Sequence, residues 1–407
     1  MPTPRSPIRA ASRARTALIV ALALGLASAS QAAEPARLAV AWDDPALGGR
    51  VAALRLEPPF EIVSPILDLG PDARVRSAPG RLLHLSRATG ELTIIDAEAW
   101  APIRAIALGA ALAPRDVAFV SGDRAYVSCA GSSVLQRVDL ASGSFAPAVD
   151  LADLATMGDA LAMESMLLHE DRLFIQLGSP GGFPPEPQYL AVFDVASEQL
   201  VDADPARPGV QAIELQGTAP RFAMQVIPGT RTLLVSATGH LNADGGLERV
   251  DLDTLQSIDI PSREFEDGNG NDIGPFVMRD AERGWLVFAT DIVLSSHLHP
   301  FTLSGGTQIL EAGTSLFYFA PSLVLDPSGE RLFWPEPAGV RAFDAETGAA
   351  LGAGPTVLSG APTDLAIVSA GAEAVPVGWF VAIGIGLGAS ICRGRLARIR
   401  SGASVRN

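Results

Sequence analysis

The residues best suited to chemistry lie in one acidic, glycine-rich stretch, EFEDGNGNDIGP (264–275). Asp267, Asn269 and Asn271 alternate with glycine. Oxygen side chains at that spacing can wrap a hard cation, with the Ile273 carbonyl as a further ligand, and calcium is the ion they suit. Met278 stands at the twelfth place, where a bidentate glutamate would complete a calcium loop. Asp272, Glu266 or Asp280 must then supply the missing carboxylate. The plainer account is a polar connector between two repeats. NADGG (242–246) is a second, shorter acidic turn. In SSHLHPF (295–301), His297 and His299 are two apart. On a strand both point one way and can share a metal, although loop and rim histidines are the plainer account. No GxSxG elbow, phosphate-cradling glycine loop or close Cys/His pair occurs. Carboxylates meeting from distant segments are not visible in a sequence.

These residues sit on a repeat. Seven openers recur: PDARVRS at 71, PRDVAFV at 114, AMESMLL at 162, PRFAMQV at 220, GPFVMRD at 274, APSLVLD at 320 and PTDLAIV at 362. Neighbours are 42 to 58 residues apart. A turn and a β-rich run follow most of them, as in GDRAYVSCAG and EDRLFIQLG. A third run then ends in Asp and a turn, as in LQRVDLASG, LERVDLDTL and VRAFDAETG. The runs alternate or are short and rich in Val, Leu, Ile and Phe, which predicts strands. The terminal Asp139, Asp194, Asp251 and Asp344 can accept backbone N–H bonds of the following turn. Gly143 and Gly348 suit a left-handed position there. No amphipathic helix of a dozen residues stands out.

Four short antiparallel strands in 40–50 residues make a propeller blade. Residues 37–70 contain three strand-like runs in the order second, third, fourth, and PTDLAIV is a first strand with no successor. The two should form one blade, 37–70 with 361–371. The prediction is an all-β, seven-bladed β-propeller over 34–371.

The ends predict an address. Arg5, Arg9, Arg13 and Arg15 precede the apolar run TALIVALALGLASA and small residues near Ala33, the plan of a signal peptide over 1–33. Residues 375–392 carry no charge and precede Arg393, Arg395, Arg398, Arg400 and Arg406. As a helix they would span roughly 27 Å, enough to cross a bilayer with the body on the non-cytoplasmic side. The tail is set at 372–407.

All 30 basic residues are Arg; nine lie in those two ends, leaving 21 against 45 Asp plus Glu in the body, or −24. Such a surface repels nucleic acid and anionic lipid. Cys129 and Cys392 are the only cysteines and are placed where they cannot pair, so no disulfide framework is expected.

The stretch 114–143, PRDVAFVSGDRAYVSCAGSSVLQRVDLASG, resembles the YVTN-type repeats of secreted bacterial and archaeal β-propellers, with Tyr126-Val127 at the motif's core. Phe174-Ile175, Leu233-Leu234 and Leu332-Phe333 replace that pair in other repeats. The tail resembles C-terminal sorting signals of the PEP-CTERM type, with Val375-Pro376-Val377 where the family has Pro-Glu-Pro. These likenesses imply fold and address, since propellers host many activities. The expectation is an exported, membrane-anchored binding module with an envelope or extracellular protein or glycan as partner. It would contact the membrane through its C-terminal helix, bind no nucleic acid, and take calcium at Asp267, Asn269, Asn271 and Asp272. The alternative is a lactonase-like hydrolase or lyase working at the central channel. GSPGGFPPEPQ (178–188) should project as a loop, where binding often resides.

Overall fold

A computed structural model describes residues 35–154, 162–178, 188–217, 220–237, 246–259, 271–290, 295–304, 316–317 and 322–369. They form seven antiparallel sheets arranged as the blades of a propeller, with only two three-residue 3₁₀ turns, Ala110–Leu112 and Leu151–Asp153, among the described residues. The innermost strands are Ala73–Ala78, Pro114–Ser121, Ala162–His169, Pro220–Val226, Asn271–Met278, Val324–Leu325 and Ala361–Val368, of blades 1 to 7 in that order. Every opener contributes an innermost strand. Blade 3 has a fifth strand, Ile213–Leu215, paired to Gln188–Asp194.

Blade 7 closes the ring as the repeat arithmetic requires. Its sheet runs Ala361–Val368, Arg37–Asp44, Gly48–Arg55, Leu67–Leu69. Arg37 faces Val368 and Val40 faces Leu365, with a bulge at Ala41/Trp42. Small and branched side chains let the sheets stack closely. Ala39, Ala41, Val51 and Ala53 of blade 7 pack with Val75, Leu82 and Trp100 of blade 1 in one fully buried cluster. Burial of this kind between neighbouring blades is the main stabilising term.

Each blade alternates direction, which gives the ring two distinct faces. Turns from strand 1 to 2 and from strand 3 to 4 lie on one, here the turn face. Links from strand 2 to 3, and from strand 4 to the next blade, lie on the other, the connection face. Innermost strands begin at the connection face.

On the turn face one local device recurs. Asp96, Asp139, Asp194, Asp251 and Asp344 end the third strands, and each accepts backbone N–H bonds two or three residues on, at 2.7–3.1 Å. Four residues past each Asp the backbone turns left-handed: Trp100 (φ 50), Gly143 (φ 79), Glu198 (φ 55), Leu255 (φ 56) and Gly348 (φ 70). Gly adopts this conformation freely, whereas other residues bear roughly 1 kcal/mol or more of strain. The three that are not Gly use the side chain to reach a neighbouring blade. Trp100 is buried against blade 7, and Leu255 packs with Phe174 and Leu190 of blade 3. Glu198 pairs with Arg137 of blade 2.

Candidate functional site

Around the axis the innermost strands enclose a cavity of about 540 Å³, to which all seven blades contribute. Toward the turn face its wall holds Phe119, Leu168, Leu325 and Ile367. Toward the connection face sit Arg74, Arg76, Asp116 and Asp364. These four come from blades 1, 2 and 7, and are the titratable convergence that sequence alone could not show.

Their geometry follows from the fold. An innermost strand has a bare edge, and its N–H and C=O groups need partners. Asp364 Oδ2 accepts the Val75 amide at 3.1 Å, bridging blade 7 to blade 1. Asp116 Oδ2 accepts the Met166 amide at 2.9 Å, bridging blade 2 to blade 3. Gln225 Oε1 accepts the Met278 amide at 2.7 Å, bridging blade 4 to blade 5. On the second strands, Ser128 donates to the Glu164 carbonyl at 2.7 Å and Ser236 to the Gly274 carbonyl at 2.8 Å. The remaining seams are held by Arg172 Nη1 to the Leu252 carbonyl, 3.0 Å, Trp285 Nε1 to the Ala345 carbonyl, 2.9 Å, and Thr356 to the Phe60 carbonyl.

Arg76 spans the seam between blades 1 and 2. Its Nε lies 2.9 Å from Asp116 Oδ1 and its Nη1 2.7 Å from Asp364 Oδ2. Desolvation disfavours its charge, but the two carboxylates outweigh that and raise its pKa above the ordinary arginine value. The carboxylates themselves are 1% exposed. Asp116 Oδ1 also accepts its neighbour's amide at Val117, and Asp364 Oδ1 that of Leu365. Every carboxylate oxygen therefore has a donor. Arg74 differs. It is 9% exposed, and its one ion pair among the described residues is with Asp364 at 3.8 Å. Burial lowers its pKa, with Asp364 offsetting part of the effect and Arg76 adding to it.

Two further buried titratable groups lie on second strands. His84 is fully buried in blade 1 with neither ring nitrogen hydrogen-bonded among the described residues, and burial lowers its pKa to about 4. The buried Tyr126 donates to Glu198 at 3.0 Å; desolvation, then that carboxylate, pushes the phenol up to about 12.

The residues singled out for calcium fare unevenly. Asp267 and Asn269 lie outside the described residues, as do Glu266, the 242–245 turn and most of 178–188. Asn271 and Asp272 begin the innermost strand of blade 5, facing Thr290 and Ala289. Asp280 cannot complete that loop: it sits at the far end of the strand, on the turn face, holding the Glu282 and Arg283 amides at 2.9 and 2.8 Å. His297 and His299 do share a strand and a side, with ring centroids 6.0 Å apart. No group of three or more potential metal ligands occurs among the described residues. Cys129 is buried, and Cys392 lies outside the described residues. The two terminal segments lie there too, and among the described residues no helix is long and apolar enough to cross a membrane.

No protein-family model matches the chain, and no curated protein sequence does. Solved structures match the fold. A Bacteroides fragilis protein provisionally named a 6-phosphogluconolactonase superimposes with TM-score 0.59 at 9% identity, covering 82% of this chain and 98% of its own. A Lactobacillus plantarum protein gives 0.58 at 12%, covering 82% and 99%. A functionally unknown Desulfotomaculum acetoxidans protein gives 0.55 at 16%, covering 82% and 98%. At such identities the likeness establishes the seven-bladed propeller and nothing finer.

Proposed function

We propose that this propeller is an exported, envelope-anchored binding module whose connection face receives a protein or glycan partner. The supporting observation is the state of the axial carboxylates. Asp116 and Asp364 each have both oxygens engaged by backbone amides or guanidinium, so neither of these carboxylates stands as a free base. Such a site suits recognition better than bond-making. The described strands on either side of 179–187 and of 260–270 end and resume at the connection face, as the strand order dictates. The export reading rests on the Arg-led apolar N-terminus, and the anchor on the uncharged run 375–392 with its Arg flank. The YVTN-like repeat and sorting-type tail accord with both, and calcium at Asp267, Asn269, Asn271 and Asp272 would stiffen the binding face.

Replacing residues 179–187 by a short Gly-Ser link should abolish partner retention from envelope or extracellular fractions and leave Tm within about 2 °C. A screen of both fractions with no partner counts against the module. Calcium should raise Tm by several degrees, and Asp267→Ala should remove the gain. Deleting residues 372–407 should release the body from the membrane fraction.

A second reading, a hydrolase or lyase at the axis, draws support from the convergence of Arg74, Arg76, Asp116 and Asp364 from three blades. Turnover of a lactone or ester panel that Asp116→Asn abolishes, with the fold retained, would favour it over the binding module.

A further inference from the structure

We infer that the axial cavity is a binding site for a small monocarboxylic acid with an apolar body, its carboxylate held by Arg74 and Arg76. This stands apart from the partner proposed for the connection face and survives or fails independently of it.

A donor–acceptor balance carries the inference. The two carboxylates at the charged end have every oxygen occupied, as described above. Arg74 makes no hydrogen bond within the described residues and has only the long Asp364 contact, 3.8 Å away. Arg76 directs Nε and Nη1 to the two carboxylates, while no hydrogen bond of its Nη2 appears among the described residues. Among the described residues the cavity thus presents guanidinium N–H groups that lack an acceptor, while each carboxylate oxygen already has a donor. A buried arginine with an incomplete shell is costly unless something accepts its hydrogen bonds. A planar carboxylate matches the guanidinium fork in two parallel bonds.

The rest of the wall defines the other half of the ligand. Beyond the arginines the lining turns to Val117, Phe119, Met166, Leu168, Phe276 and Leu325. A volume of about 540 Å³ falls in the range used by small-molecule sites, which are mostly apolar with a few placed polar groups. Charge at one end and a mainly apolar remainder, interrupted by Ser77, Gln225 and Ser322, would orient an amphipathic acid along the axis, head toward the connection face. Asp116 and Asp364 hold Arg76 in place and are positioning residues here.

The test is calorimetric titration of the full-length protein in mild detergent with 4-phenylbutyrate. Saturable binding is expected with Kd on the order of 0.1 mM, reasonable for about a dozen non-hydrogen atoms. The neutral amide of the same acid should bind at least tenfold more weakly, and Arg74→Met should lose at least tenfold while keeping its Tm near wild type. Sulfate should compete only at far higher concentration. Absence of saturable binding to 10 mM (roughly a hundredfold above that Kd), equal affinity for acid and amide, or unchanged affinity in Arg74→Met overturns the site. Sulfate binding as tightly as the acid removes the role of the apolar body and overturns the ligand class. If Arg74→Met fails to fold, Arg74→Lys and the acid–amide comparison on the wild-type protein decide it. Loss of this binding with the envelope partner still retained would reject the carboxylate site and leave the binding module standing.

Discussion

Asp251 and Asp364 are the same residue type accepting the same kind of bond, a backbone N–H, in two different places. Asp251 ends a third strand on the turn face and takes the amides of Asp253 and Thr254, two and three residues on. Asp364 sits at the axis and takes the amide of Val75, 289 residues away, together with Arg76. The first stabilises a turn that water could also satisfy. The second completes a bare strand edge that water reaches poorly, and closes a seam between the first and last blades. Context, not residue type, decides the size of the effect.

Asp364→Ala should sharpen that contrast most. It leaves the Val75 amide unpaired, takes a ligand from Arg76 and removes the one ion pair of Arg74 among the described residues; breaking a buried pair in this way costs about 3–5 kcal/mol. Denaturant unfolding should show a clear fall in midpoint. A change under 1 kcal/mol would mean the seam is held elsewhere. Trp100→Gly comes next. It relieves a left-handed residue yet empties a buried slot against blade 7, so a net loss of roughly 2–4 kcal/mol is expected in the same assay.

The third effect depends on pH. His84 has its folded pKa lowered to about 4, against an ordinary 6.5. The unfolded chain therefore takes up a proton at a higher pH than the folded one. Stability is full above pH 6.5 and falls as pH drops toward 4, by about 3 kcal/mol over the window. His84→Leu should flatten the Tm–pH curve between pH 6.5 and 4. A curve parallel to wild type would show that other groups drive acid unfolding. Below that window the turn carboxylates of Asp194, Asp251 and Asp344, held below the ordinary 3.8 by turn hydrogen bonds, are protonated in turn. Asp251→Ala should give the smallest change, about 1 kcal/mol or less. A loss as large as that of Asp364→Ala would erase the distinction between turn and axis.

The same distinction explains what the sequence disclosed. Strand order, the Asp turns and the blade shared between 37–70 and 361–371 were readable because alternation, turn chemistry and repeat length are local signals. The two Arg of PDARVRS, set where other openers are mainly apolar, were the available hint of the axial cluster. Nothing in PRDVAFV or PTDLAIV reveals that Asp116 and Asp364 share one guanidinium, because the rotation of one blade against the next has no one-dimensional trace. Asp280 failed as a loop ligand for a related reason. The eight-residue strand Asn271–Met278 carries the chain from one face to the other. The left-handed Trp100, Glu198 and Leu255 were also missed, since only Gly advertises such a position in sequence.

Closure by the outermost parts of the described chain has an orienting effect. Arg37 and Val368 lie opposite each other where the strand 1 to 2 turn of blade 7 would otherwise be, so the outer described ends meet on the turn face. Ala36 and Ser369 stand at the rim of the cavity's hydrocarbon end. A disc tethered through the chain beyond Ser369 would lie with that end toward its support. Its arginine-lined end would look outward, like a cup standing on its base.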